Sequence, residues 1–194
     1  MELHETRERV ERAEHAQHQE HKRTALLIIV LAVALAIVEM ASKEAQFASI
    51  ADNILSSDTY AFYQAKTIRL TFLSAAADAV EKIPTDDAQH AEALHQLIAE
   101  WRSTVDRLES DPATAEGRKE LLVRARALEE ERDREQSSYH HYEYSAAGLQ
   151  LAIVVASAAV ITEMTLLEII SAGIGIAALG LAALGWLAPR LLPL

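Results

Sequence analysis

Three apolar runs constrain this chain more than anything else in it: residues 24–42 (TALLIIVLAVALAIVEMAS), 145–162 (SAAGLQLAIVVASAAVIT) and 164–188 (MTLLEIISAGIGIAALGLAALGWLA). At ~1.5 Å per residue, the first is just long enough to cross a hydrocarbon core of about 30 Å. Charges bracket it, with Lys22 and Arg23 before and Lys43 after. A cleaved signal peptide is the rival reading, but the polar segment ahead is too long for an n-region, and a retained anchor is expected. The exit through Glu39, Met40, Ala41 and Ser42 also lacks small residues at both −1 and −3 of any good cut. Almost nothing separates the second run from the third, so those two spans are expected to return as a tight antiparallel hairpin. Tyr139, Tyr142 and Tyr144 sit where an interfacial aromatic belt belongs, and Trp186, Pro189 and Arg190 close the last run.

The rest of the chain is helical in vocabulary. Aromatics are 5% of residues, with only 6 Gly and 4 Pro, while Ala, Leu, Ile, Glu and Arg dominate. No stretch alternates like a strand. The expected class is an all-α membrane protein: three transmembrane helices, one N-terminal and two in a C-terminal hairpin, with an extramembrane helical bundle between the first and second. Residues 43–144 hold 12 Lys and Arg against 20 Asp and Glu, most of a formal net charge of −11. That acidity argues against a nucleic-acid surface. With no cysteine, disulfides, thiolate metal sites and cysteine nucleophiles are excluded.

Residues 1–23 form a polar helix candidate, supported by a Glu8–Arg12 pair. In the extramembrane region, 43–144, helices are expected at about 44–83, 86–110 and 112–144. In the first of these, Phe47, Ala51, Ile54, Ala61, Ala65, Ile68, Phe72, Ala75 and Ala79 alternate three- and four-residue steps, interrupted only by Asp58. That is a coiled-coil-like seam. Ser56, Ser57 and Asp58 offer an alternative, capping a fresh helix after a break. Pro84 ends it either way. The second helix carries a stripe of Leu94, Leu97, Ile98, Trp101, Val105 and Leu108. Asp111 then Pro112 has the form of an N-cap and first helical residue. The third helix, with Leu121, Leu122, Ala125 and Leu128, is expected to run into the second span.

The string SDTYAFYQAKTIR (residues 57–69) and the patch LQLAIVVASAAVIT (149–162) resemble a bacterial membrane family known as domain of unknown function forty-three thirty-seven. The order of basic flank, single span, helical segment and terminal hairpin is similar too. The resemblance covers the chain from about His21 onward. It implies a bacterial inner-membrane protein with no assigned activity, and it lends no catalytic residues.

Acids in the apolar runs are the sharpest anomaly. Glu39 lies near the end of the first span, and Glu163 and Glu168 frame the hairpin turn. Carboxylates in hydrocarbon tend to face a bundle interior or water, although all three lie near span ends, within reach of headgroup water. In a ring of subunits Glu39 would repeat around the axis, as acidic rings do in cation pores. Gln150 is placed to bond across helices. Small residues recur at four-residue spacing: Gly148, Ala152 and Ala156 in the second span, and Ser171 with Gly175, Gly173 with Ala177 and Ala178 with Ala182 in the third. Such faces permit close helix approach, within the hairpin or between subunits.

In the hallmark string, Tyr63, Lys66 and Arg69 share a helical face, near Gln64 and Asp58. They suit lipid phosphate or cation–π contacts, or simply a solvated or subunit-facing polar stripe. Asp58 within the seam suits register-setting. His15 and His18 with Glu11 and Glu14, and His140 and His141 with Glu143, have helical ligand spacing, but without a paired Glu-x-x-His motif no metal is assigned. No cofactor is expected, and no nucleophile elbow, phosphate-binding glycine loop or zinc-protease motif occurs.

The function expected is a non-enzymatic, homo-oligomeric structural or scaffolding component of the bacterial inner membrane, contacting lipid and other membrane proteins. An ion or small-solute channel is the alternative, and a metal-dependent enzyme a distant third. Lys22 and Arg23 favour a cytoplasmic N-terminus. The cation-free hairpin turn, with Arg132 and Arg134 before the second span, pulls the other way.

Overall fold

Nothing in the first 81 residues breaks a helix: the first proline is Pro84 and the first glycine Gly117. The computed structural model, which describes the backbone of residues 2–191 and the side chains of residues 22–191, shows the consequence. Helix α1 runs unbroken over Glu2–Glu81, so the fresh helix that Ser56, Ser57 and Asp58 allowed does not form. Its last turn tightens through bonds from Lys82 N to Ala79 O and Ile83 N to Val80 O, just before Pro84. Helix α2 (Ala88–Glu109) starts at Asp87, whose carboxylate accepts from Gln89 N at 3.0 Å. Helices α3 (Arg118–Thr162) and α4 (Thr165–Leu187) complete the fold. No strand occurs among the described residues, and α1, α3 and α4 are each long and apolar enough to cross a membrane.

The third helix begins later than Pro112 suggested. Asp111 does start a turn, with Ala115 N bonding back to Asp111 O at 2.9 Å, but Ala115 is left-handed (φ 56) and the turn stops there. Glu120 then reaches back, accepting from Ser110 Oγ at 2.6 Å and Asp111 N at 3.2 Å. This holds the chain so close that a Cβ on buried Gly117 would lie 2.6 Å from Ser110 Cα. Only glycine fits.

The chain forms two compact units, Met1–Ala48 with Arg134–Leu194, and Ser49–Asp133. In the first, α3 and α4 are antiparallel: Ser145 Oγ donates to Ala178 O and Ser171 Oγ to Ala152 O, each at 2.7 Å. Against them α1 lays Leu31, Val38 and Ala45, one residue per heptad, onto a core of Tyr142, Ala146, Leu149, Ala152 and Ala178.

In the second unit, α1 presents Ser56, Thr59, Tyr63 and Ala77 inward, and α2 contributes Ile98 and α3 Leu121 and Ala125. The contacts of α1 with α3 are largely polar. Ser56 Oγ donates to Ala125 O at 3.4 Å and Tyr60 Oη to Glu129 at 3.0 Å. Arg102 of α2 pairs with Glu81 at 2.7 Å. The seam through Phe47, Ile54, Ile68 and Phe72, expected to pack, is instead exposed. The buried face is its opposite, because serine and threonine with small neighbours allow hydrogen-bonded approach that phenylalanine would block.

Gly117→Ala is expected to destabilise the Ser49–Asp133 unit by about 1–3 kcal/mol, as overpacking does. Thermal unfolding of the purified variant, with a matched Ala115→Gly control that does not destabilise, checks this.

Candidate functional site

Glu39, half-buried on α1, accepts a 3.4 Å bond from Gln150 Nε2 on α3. Both open onto a groove of about 440 Å³ lined also by Ser42, Lys43, Gln46, Tyr139, Glu143, Ala146 and Ala147. Heptad contacts between α1 and α3 set this geometry: Val38 and Ala45 turn into the core, and Glu39, Ser42 and Lys43 follow at the groove's edge. The lining offers two carboxylates, an ammonium and two amides. Such a set can hydrogen-bond or pair with charged groups.

The hairpin acids are not part of it. Glu163 is exposed and left-handed (φ 54) at the turn, and Glu168 lies in the first turn of α4, where a carboxylate meets the helix's positive end. Of the small residues, Gly148, Ala152 and Ala156 face inward, the two alanines with no exposure. Gly175 is buried so tightly that a Cβ would come within 2.6 Å of Leu31. Gly173 and Ala177 take no part in the hairpin contact: both face outward, and a Cβ at Gly173 meets nothing within 4 Å.

The hallmark face divides. Tyr63 lies under the Arg118 guanidinium at 5.9 Å, and Lys66 donates to Glu116 O while its ammonium stands 3.8 Å from the Glu116 carboxylate. Those two side chains fasten α1 to the start of α3. Asp58, Gln64 and Arg69 remain exposed. Asp58 therefore sets no register inside this unit.

Adjacent histidines also part company. His140 stays near Glu143 at 3.9 Å, whereas His141 is fully buried, its Nδ1 donating to Ser137 O at 2.7 Å. Its Nε2 has no partner among the described residues. No group of three metal-ligating side chains occurs among the described residues. His15, His18, Glu11 and Glu14 lie outside those whose side chains are described. Of the expected aromatic belt, Tyr142 is buried in the core and Tyr144 faces out.

Sequence reading missed the two hydroxyl bonds of Ser145 and Ser171, and Gly185. A Cβ on Gly185 would fall 2.8 Å from His141 Cβ. The four-residue pairs Ser171 with Gly175 and Ala178 with Ala182 were a usable signal for that face, while Ser145 and His141 carried none.

Outside the apolar runs, two carboxylates with lowered pKa values lie at the turn from α2 to α3, and a third is Asp87 at the start of α2, lowered first by its hydrogen bond to His90. Hydrogen bonding to Arg118 lowers the Glu109 pKa, and the Ser110 hydroxyl does the same for Glu120.

What these features define is a chain that is all-helical among the described residues, with three helices of membrane-crossing length. The profile of the family described as domain of unknown function (DUF4337) matches residues 20–188, and the chain belongs to that family. No curated protein and no solved structure matches it.

Leucine at Gly175 must displace Leu31 and is expected to destabilise the first unit by about 1–3 kcal/mol. Gly173→Leu, on the outward face, should stay within about 0.5 kcal/mol. Unfolding in detergent compares the two. A second outcome concerns pH. The depressed pKa values of Glu109 and Glu120 mean that their contributions are fully present above the unfolded carboxylate value, about 4.3. They are lost as pH falls through the lower folded values. Hydrogen-exchange protection at residues 110–120, taken relative to the intrinsic exchange rate at each pH, should therefore fall on acidification below about pH 4.3 and stay level between about pH 5 and 7.

Proposed function

We propose that this chain is a multi-pass integral protein of the bacterial inner membrane that self-assembles and acts as a structural or scaffolding element rather than an enzyme. One observation carries the reading: the first unit is built inside out. Its α3–α4 contact is made largely by Ala, Gly and Ser, with Leu31, Val38, Tyr142 and Leu149 among the few larger side chains inside, while Leu26, Val30, Ile37, Val154, Ile161, Ile169, Ile176 and Leu187 point outward. In water that surface would aggregate; in hydrocarbon it is the favourable one, and close small-residue contacts replace the hydrophobic effect as the packing force.

Aromatic placement supports it. The approach of Gly185 to His141 and Tyr142 brings exposed Trp186 and Tyr144 to one end of the α3–α4 hairpin, where a membrane interface would hold them. The spans are residues 24–42, 145–162 and 164–188, with the acidic helical region between the first two extramembrane. Lys22 and Arg23 favour a cytoplasmic N-terminus. Family membership accords with a bacterial membrane setting through the resemblance already drawn.

A second reading, an ion or small-solute channel, is favoured by Glu39 and Gln150, which bond each other at 3.4 Å and together open on a groove. Purified protein in planar bilayers would then conduct, and Glu39→Gln would change selectivity. The scaffolding reading expects no conductance and an unaltered Glu39→Gln variant.

The membrane reading itself expects the protein to resist alkaline carbonate extraction of bacterial membranes. A cysteine placed at Glu92 should react with an impermeant thiol reagent added to intact spheroplasts. Extraction into the soluble fraction would remove the integral-membrane claim, and labelling only after lysis would reverse the orientation.

A further inference from the structure

Within the Ser49–Asp133 unit, α1 keeps a second periodic face that no described helix covers. From Ala51 to Ala79, alternating steps of four and three residues land on exposed positions throughout, apolar at every one except Asp58. Ile54, Ile68 and Phe72 are 55%, 70% and 71% exposed. In sequence the same phase runs back through Phe47, Glu44, Met40, Ile37, Val33, Val30 and Leu26, all exposed and apolar except Glu44.

We propose that this face of α1 is the seam of a parallel coiled coil between two copies of this chain. The inference rests on the membrane reading above and names the partner it leaves open.

Period is the first argument. An ordinary amphipathic helix drifts away from a strict seven-residue repeat, whereas a face that holds it for four heptads matches another helix winding around it left-handedly. The occupant is therefore a helix about 40 Å long. A lipid surface has no need of heptad phase, and this stretch lies beyond the first apolar run.

Charge is the second argument. Two copies anchored in one membrane carry α1 in the same direction, which makes the pair parallel. In register, the flanking positions then meet as Ile50 with Leu55, Ser57 with Phe62, Gln64 with Arg69, and Thr71 with Ala76. No like charges meet, and the exposed apolar Ile50, Leu55 and Phe62 widen the dry strip. The hydroxyl- and lysine-bearing face of α1 cannot serve, because its Ser56, Tyr63 and Lys66 are already engaged with α3.

Asp58 is the exception within the seam. Two carboxylates face each other across the axis there, which costs stability while it penalises slipped registers. Its exposure within one copy is what a residue facing a second copy would show.

The chain has no natural cysteine, so single replacements give a clean test. In membranes under mild oxidation, Ala61→Cys and Ala75→Cys, both on the seam, are each expected to form a disulfide dimer of the chain with itself. Glu100→Cys, exposed on α2, should not. Self-linking at both seam sites requires the parallel register. Combining Ala61→Cys with Ile68→Glu and Phe72→Glu should abolish the dimer, and combining it with Asp58→Leu should let it form at lower expression. Failure of both seam cysteines to link in protein that remains membrane-bound would overturn the coiled coil alone. So would a covalent product of another mass. Dimer recovered from the soluble fraction would keep the seam and defeat the membrane reading.

Discussion

The close approach of α3 to α4 carries the first unit. Ser145 and Ser171 each send a hydroxyl proton to a carbonyl of the facing helix, at Ala178 and Ala152, and these two bonds fix the hairpin's register at two heights. They form only because Ala152, Ala156 and Gly175 keep the backbones near each other. Once that is set, Leu31 of α1 fills the space over Gly175, and Val38 and Ala45 follow one heptad apart. The position of Glu39 opposite Gln150, and so the groove beside it, is a consequence of this packing and not an independent feature.

The second unit solves a different problem with the same helices. Here α1 meets α3 through hydroxyls, a tyrosine, a lysine and the carboxylates and carbonyls that receive them. The connection from α2 to α3 is held by Glu120 reaching back to Ser110 and Asp111, and by Arg118 against Glu109. Exposed surface pairs contribute little individually. Here they share one short turn that also requires Gly117, and that concentration gives it a defined shape. Because the polar face of α1 is used inside the unit, its apolar face is left outside, and an assembly with a second copy gives that surface a place to go.

Much of the secondary structure was legible. The absence of glycine and proline before Pro84 allows one long helix, the apolar stripe from Leu94 to Leu108 marks α2, and the short turn after Thr162 demands a hairpin. The start of α3 was not legible, because Asp111 and Pro112 do begin a turn and only Ala115 and the Gly117 contact end it. The site was half legible. Glu39 and Gln150 stood out as polar groups in apolar runs, but nothing in their separation along the chain says that they meet. Gly173 with Ala177 has the same spacing as Ser171 with Gly175, and spacing alone cannot tell an inward face from an outward one.

The sequence by itself determined that the chain is helical, that three of its helices can cross a membrane, and that α1 carries a heptad rhythm. These follow from local properties: propensity, run length and period. Only the tertiary structure decided which of two heptad faces on α1 is buried. Both repeat every seven residues, and the more hydrophobic one is the natural choice by burial energy alone. The choice went to the Ser56, Thr59 and Tyr63 face, because hydrogen bonds to α3 need small and polar groups at the contact. That is a property of the pair of helices and not of either one.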